Sequence, residues 1–315
     1  MKKILAIAIA TAISAPAMAD LTIGGSARYQ VTDTDGATAT AGRVQLAVSG
    51  RSEGANGAFA SYGATVNLNM GSTNAQAATT AGGSTLIEST FTSTEAIAFD
   101  DVTLTIGNAD ANVQLGEFET FKAFSSGADT FEAANTSNGL ATSTAAAAAL
   151  AGGYENSAIF GRNSGNVQVN LTSIDNLGVS VASRITDADT SVVLGLSTAV
   201  SGVSVKAAIE DDSAAGTTGV SATAGMDLNG VALNVSYGKK GTAKSSNINA
   251  SYMGFGVAMQ KNENGANEED RIFGSYTLED VAGIAGADVI VGAGSAEYNT
   301  TASKDIFGVR LSYAF

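Results

Sequence analysis

One pattern repeats along almost the whole chain: apolar and polar residues alternate for eight or ten positions, turn residues intervene, and the alternation resumes. A period of two sends successive side chains to opposite faces of an extended strand, so each run has one apolar and one wet face. Val203, Val205, Ala207 and Ile209 oppose Ser204, Lys206 and Ala208, and Val231, Leu233, Val235 and Tyr237 oppose Ala232, Asn234, Ser236 and Gly238. Val167, Val169 and Leu171 point away from Gln168, Asn170 and Thr172, as Ile248, Ala250 and Tyr252 do from Asn247, Asn249 and Ser251. The final run puts Phe307, Val309, Leu311, Tyr313 and Phe315 on one face and Gly308, Arg310, Ser312 and Ala314 on the other. Such strands suit a wall between lipid and water, and the last one is expected to stay paired through Phe315.

Sixteen such segments can be counted, beginning near Leu21, Arg43, Ala58, Ala96, Asn112, Asn166, Gly178, Ser191, Val203, Gly219, Val231, Ser245, Phe255, Asp270, Ala287 and Lys304. An even number lets antiparallel strands start and finish on one side of a membrane and close on themselves. The fold expected is therefore all-β, a 16-stranded antiparallel transmembrane β-barrel. Tight turns at 175–178, 199–202, Asn229-Gly230 and Gly254 suit hairpins on one side. Acidic links at 33–42, 210–217 and 263–269 are expected on the other side. Two further outer links are longer, Gly71 to Thr94 and Phe118 to Asn163, and within the second Thr142 to Ala151 favours a short helix.

The other end of the chain indicates the compartment. Met1-Lys2-Lys3 is basic, Ile4 to Ile13 is apolar but too short to span a bilayer, and Ala17-Met18-Ala19 supplies small cleavage residues. Residues 1–19 are expected to be a cleaved signal peptide, leaving 20–315 as the barrel domain. The single proline, Pro16, falls in the leader. With no cysteine and no histidine, disulfides, thiolate nucleophiles, imidazole bases and the usual zinc sites are excluded. No motif singles out a catalytic serine or acid pair, so an enzyme is not expected. A formal charge of −14 argues against nucleic acid as a partner.

Three stretches and the chain end carry a resemblance. They are Leu21-Thr22-Ile23-Gly24-Gly25-Ser26-Ala27-Arg28-Tyr29, the strand Gly42 to Arg51, and the hairpin of Val102 to Ile106 with Val113 to Phe118, followed at the end by Tyr313-Ala314-Phe315. In order and spacing the chain resembles the Gram-negative trimeric general diffusion porins over essentially its full mature length. The resemblance implies a homotrimer in the cell outer membrane, a second loop reaching over a neighbouring subunit, and a long third loop folded into the lumen. Tyr313 and Phe315 are similar to the signal read by the outer-membrane assembly machinery. The implied function is passive diffusion of small hydrophilic solutes and ions. A substrate-selective porin and a secreted or surface β-rich adhesin-like protein stay open as alternatives, although the absence of tryptophan and a count of 8 tyrosines give little material for a sugar-guiding aromatic track.

For such a channel the chemistry lies in the charges of the bore. Arg28, Arg43, Arg51, Arg184, Lys206, Arg271 and Arg310 all fall on the polar face, which fits a cost of about 2–4 kcal/mol for a cation facing mid-bilayer lipid. The constriction is assigned to Arg28, Arg43 and Arg51 facing Glu117, Glu119, Asp129 and Glu132, with Glu155 also on the loop; Arg51 can instead pair with Glu53 at the rim. Arg184, Lys206, Arg271 and Arg310 are assigned to the lumen. The acidic pairs Asp33 and Asp35, and Asp211 and Asp212, are expected to hold calcium or magnesium loosely and to bridge to lipopolysaccharide and other outer-membrane lipids. No other cofactor is expected, and the excess of acid predicts weak cation selectivity.

Overall fold

The computed structural model describes residues 21–34, 37–81, 84–121, 123–124, 162–174, 176–185, 190–213, 216–299 and 303–315. The expected signal peptide lies outside them. Every strand pairs antiparallel with its neighbours in sequence. The first half of the order is β1 (Thr22–Thr34), β2 (Ala37–Glu53), β3 (Phe59–Ala81), β4 (Ser84–Gly107), β5 (Ala111–Glu119), β6 (Arg162–Ile174), β7 (Leu177–Ile185) and β8 (Thr190–Val200). The second half is β9 (Val203–Asp212), β10 (Thr217–Leu228), β11 (Val231–Lys240), β12 (Ala243–Tyr252), β13 (Phe255–Asn264), β14 (Asn267–Leu278), β15 (Ala287–Tyr298) and β16 (Lys304–Ala314). β1 pairs with β16, so these sixteen strands form a closed barrel without a free edge.

Closure is made residue by residue. The β1–β16 ladder runs from Thr34 opposite Ile306 to Ser26 opposite Ala314. It ends in a reciprocal pair: Gly25 N–H donates to Phe315 O at 2.8 Å, and Phe315 N–H donates to Gly25 O at 3.0 Å. The Phe315 ring lies over Gly25, where an added Cβ would stand 2.9 Å from the ring and 2.3 Å from the Gln45 carbonyl. Glycine at this site lets strand, neighbour and ring approach together. Tyr313 stacks beside Phe315 with ring centroids 6.1 Å apart.

Hairpins at the Phe315 rim show why their sequences were legible. Ser201-Gly202, Asn229-Gly230 and Met253-Gly254 hold both central residues at positive φ, 51° and 81°, 56° and 87°, 46° and 83°. That is the type I′ geometry, whose twist matches that of the strands it joins. Asp227 Oδ1 adds a hydrogen bond from Gly230 N–H at 2.9 Å.

The outward face is apolar up to a sharp limit. It carries Val231, Leu233, Val235 and Tyr237 before Lys239 on β11, Phe255, Val257 and Met259 before Lys261 on β13, and Phe307 to Tyr313 beyond Asp305 on β16. Eight extended residues tilted by about 40° climb roughly 20 Å, close to the apolar band of a bacterial outer-membrane barrel.

At the far rim the strands outrun the sequence reading. Most residues of the links expected at 33–42 and 263–269, and half of those at 210–217, belong to strands. Gly71 to Thr94 is no loop: Gly71 pairs Thr94 and the ladder continues to Ala81 opposite Ser84. Polar hairpins keep pairing past the apolar band because each further rung satisfies backbone groups. Gly241 and Gly265 then turn the chain at positive φ. The expected inner helix at 142–151 lies outside the described residues.

Gly25→Val should overpack the seam. We expect folding from urea into lipid to lose about 1–3 kcal/mol, read as a lowered urea midpoint; an unchanged midpoint would contradict this account of the closure.

Candidate functional site: the barrel interior

Alternation sends the polar half of every strand inward. Sixteen strands enclose an aqueous lumen instead of a side-chain-packed core. Much of that inner wall is a net of carboxamides and hydroxyls. Gln168 Nε2 donates to Asn170 Oδ1 at 2.9 Å, Asn170 Nδ2 to Asn112 Oδ1 at 2.9 Å, and Ser180 Oγ to Asn170 Oδ1 at 2.7 Å. A second block crosses β11 to β14. There Asn234 Nδ2 bonds Asn249 Oδ1 at 3.1 Å, Asn249 Nδ2 bonds Asn247 Oδ1 at 2.9 Å, and Asn262 Oδ1 accepts from Ser245 Oγ at 2.7 Å and Gln260 Nε2 at 3.0 Å.

Charges are placed within this wall in two groups that face across the bore. Arg28 pairs Arg43 in the β1–β2 register, and Arg310 pairs Gln30 across the closure, two positions from Arg28. These three arginines form one inner arc on β16, β1 and β2. β9 lies eight strands from β1 in either direction. There Lys240 Nζ sits 3.2 Å from Glu210 Oε2 and 2.8 Å from Asp212 Oδ2, all three side chains at most 15% exposed. Glu269 and Arg271 make a further inward pair at 2.8 Å, with side chains 4% and 3% exposed.

The start of the long β5–β6 connection enters this space. Asn166 Nδ2 donates to Phe118 O at 2.6 Å, Phe121 N–H donates to Gln168 Oε1 at 2.8 Å, and Thr223 Oγ1 donates to Ala123 O. Phe118, Ala123 and Phe124 are buried. The chain thus leaves β5 along the inner wall, not outward from the rim.

Comparison with solved structures finds the same architecture at low sequence identity. An engineered variant of the Rhodopseudomonas blastica porin matches with TM-score 0.60 and 13% identity, covering 94% of this chain and 100% of that one. A second variant of that porin gives 0.59 and 14%, with the same coverage. The low-pH structure of OprB from Pseudomonas putida gives 0.61 and 8%, covering 94% of this chain and 93% of that one. The chain has the porin fold. No family model matches the sequence, and no curated protein matches it significantly.

Within the porin fold the predicted residues divide. Arg28, Arg43 and Arg310 come together, although Arg310 was placed in the general lumen and not at the constriction. Arg51 does not join them: it lies eight residues along β2 from Arg43, roughly 26 Å of extended chain away. There Arg51 Nε contacts Glu53 Oε1 at 3.2 Å and the guanidinium lies 3.9 Å from the centre of the Phe59 ring, so its rim alternative is the one found. Arg184 occupies an inward register position opposite Asn166 and Ser191, and Lys206 faces inward opposite Ser197 and Thr223.

Glu117 is misplaced by the sequence reading. It pairs Val102 in register with Leu104 and Leu115, and is exposed on the outward face. Its pairing with β4 keeps the parity of Val113 and Leu115 there, although β5 shifts register against β6 between Gly116 and Phe118. Glu119 closes β5 opposite Arg162. Asp129, Glu132 and Glu155 lie outside the described residues.

The divalent sites fare similarly. Asp211 and Asp212 are consecutive in β9, so they project to opposite faces and cannot share an ion; Asp212 is held by Lys240. Asp33 Oδ2 accepts from Thr38 Oγ1 at 3.3 Å, and Asp35 lies outside the described residues. Among the described residues no three acidic side chains gather as a metal site. Sequence reasoning missed the amide net, whose signal was the asparagine and glutamine at alternate positions, and the two buried ion pairs.

Removing one partner of the inward pair leaves a buried charge uncompensated. Glu269→Ala should cost about 3 kcal/mol, against less than about 1 kcal/mol for Lys244→Ala, whose 3.1 Å bridge to Glu263 is exposed. Urea unfolding of the two variants checks the ordering.

Proposed function

We propose that this chain is an outer-membrane porin: a passive channel for small hydrophilic solutes and ions, weakly cation-selective, exported by residues 1–19 and assembled as a homotrimer in a Gram-negative envelope. The observation that carries the reading is the segregation of faces around a closed ring. Side chains such as Val235, Ile248, Val257 and Leu311 face out while Ser236, Asn247, Ala258 and Arg310 face in. A soluble sandwich would bury its apolar face in protein. Here that face is exposed on all sides, which only lipid or another membrane protein can cover.

The inner arrangement suits diffusion of polar solutes. The arginine arc on β16, β1 and β2 concentrates positive charge on one side of the bore, whereas the Glu210 and Asp212 carboxylates opposite are offset by Lys240 and Lys206, and this asymmetry sets a field across the bore. Water and dipolar solutes align in such a field, whereas an apolar solute gains nothing from it and loses hydration. The formal charge of −14 supports a bias towards cations. Carboxamides already bonded to one another present a hydrophilic surface with few unmet donors, which favours general diffusion over a selective channel. The reading assigns the protein no catalysis.

The outward charges fit the same setting. Lys244 with Glu263, and Lys261 with Glu268, lie beyond the apolar band where polar lipid headgroups begin. Glu117, outward on β5, suits contact with a neighbouring subunit better than contact with hydrocarbon.

Purified protein in a planar bilayer should give discrete conductance steps, and a potassium chloride gradient should give a reversal potential on the cation side. A reversal potential favouring chloride would overturn the selectivity. Arg43→Ala should raise the cation-to-anion permeability ratio about twofold, the effect of roughly 0.4 kcal/mol on an ion's barrier.

A further inference from the structure

The inner wall is polar almost throughout, but on β7 to β9 it changes character. Ala182 and Val193 face each other across β7 and β8, and Gly195 faces Ala208 across β8 and β9. Ala182, Val193 and Ala208 are buried although they point into the bore. What covers Gly195 is the Phe121 ring. An added Cβ would lie 2.2, 2.4 and 2.7 Å from three of its atoms, a spacing that no rearrangement short of moving the ring relieves. Gly195 has an ordinary strand conformation, so its lack of a side chain serves the ring and not the backbone.

The bonds around this contact run to the main chain. Asn166 and Gln168 on β6 hold Phe118 O and Phe121 N–H, and Thr223 on β10 holds Ala123 O. From β6 to β10 is four strand spacings, about 19 Å of arc, so the clamps hold the entry segment at two well-separated points of the wall.

We infer that Gly195 and Phe121 form a keyed seat that fixes where the chain enters the lumen and so sets the bore, with Gln168 and Thr223 as positioning residues that clamp its backbone on either side. The inference rests on the channel reading for its effect on conduction, but the seat itself does not. A side chain at position 195 and the Phe121 ring compete for one volume. Filling position 195 pushes the segment towards the axis, and shrinking residue 121 makes room again.

Gly195→Leu should still give a barrel with a sharp heat-dependent gel shift. Its single-channel conductance should fall about twofold, and the Phe121→Ala, Gly195→Leu double variant should return towards the wild-type value. Independently of conduction, hydrogen exchange of the 118–124 peptide, followed by mass spectrometry in detergent, should accelerate at least tenfold in Gly195→Leu and slow again in the double variant. Unchanged exchange in Gly195→Leu overturns the seat, whether or not the protein conducts. Altered exchange with unchanged conductance in a conducting protein overturns its control of the bore. A wild-type protein that folds and conducts nothing overturns the channel reading, while the exchange experiment still judges the seat.

Discussion

Backbone hydrogen bonding governs this molecule. In hydrocarbon each unpaired N–H or C=O costs several kcal/mol, and a sheet meets that demand only when it has no edge. The decisive rung is the last one, where Gly25 and Phe315 exchange two hydrogen bonds and complete the ring. Other features follow from it. Glycine is required at position 25 because three groups meet there. Type I′ turns keep consecutive strands in register, and with closure secured the wall can dispense with an apolar interior.

The two faces then answer to different solvents. Outward positions need only be apolar over the membrane band, and the onset of Lys239, Lys261 and Asp305 marks its limit. Inward positions must satisfy one another or water. The wall does this mainly with neutral groups, and its charge includes the arginine arc, the cluster of Lys240 with Glu210 and Asp212, the Glu269–Arg271 pair, and the inward positions of Arg184 and Lys206. The cluster and the pair are shielded more than surface bridges are, so their attraction is screened less by salt.

The barrel was legible because a period of two is local and repeated. Strand starts such as Val203, Val231, Phe255, Ala287 and Lys304 coincide with those read from the sequence. Failures occurred where local pattern stops being informative. Threonine, serine and alanine between Gly71 and Thr94 do not distinguish a loop from a solvated hairpin. Glu117 was assigned by chemistry against its own parity, and parity won. Asp211 and Asp212 were paired because they are adjacent, which in a strand separates them. The entry segment was hardest to read, since Phe121 and Gly195 are distant in sequence; small or apolar residues at inward positions 182, 193, 195 and 208 were the available hint.

The clamps at Asn166, Gln168 and Thr223 grip main-chain atoms, which are the same whatever residue supplies them. Side chains of the entry segment add a second hold, for Phe118, Thr120, Ala123 and Phe124 are buried on either side of the ring on Gly195. Such a design spreads the tether over polar bonds to the backbone and apolar contacts of the side chains, so that no single bond carries the path alone. Mutational tolerance should be low all along the described part of the segment, and lowest where ring and glycine meet.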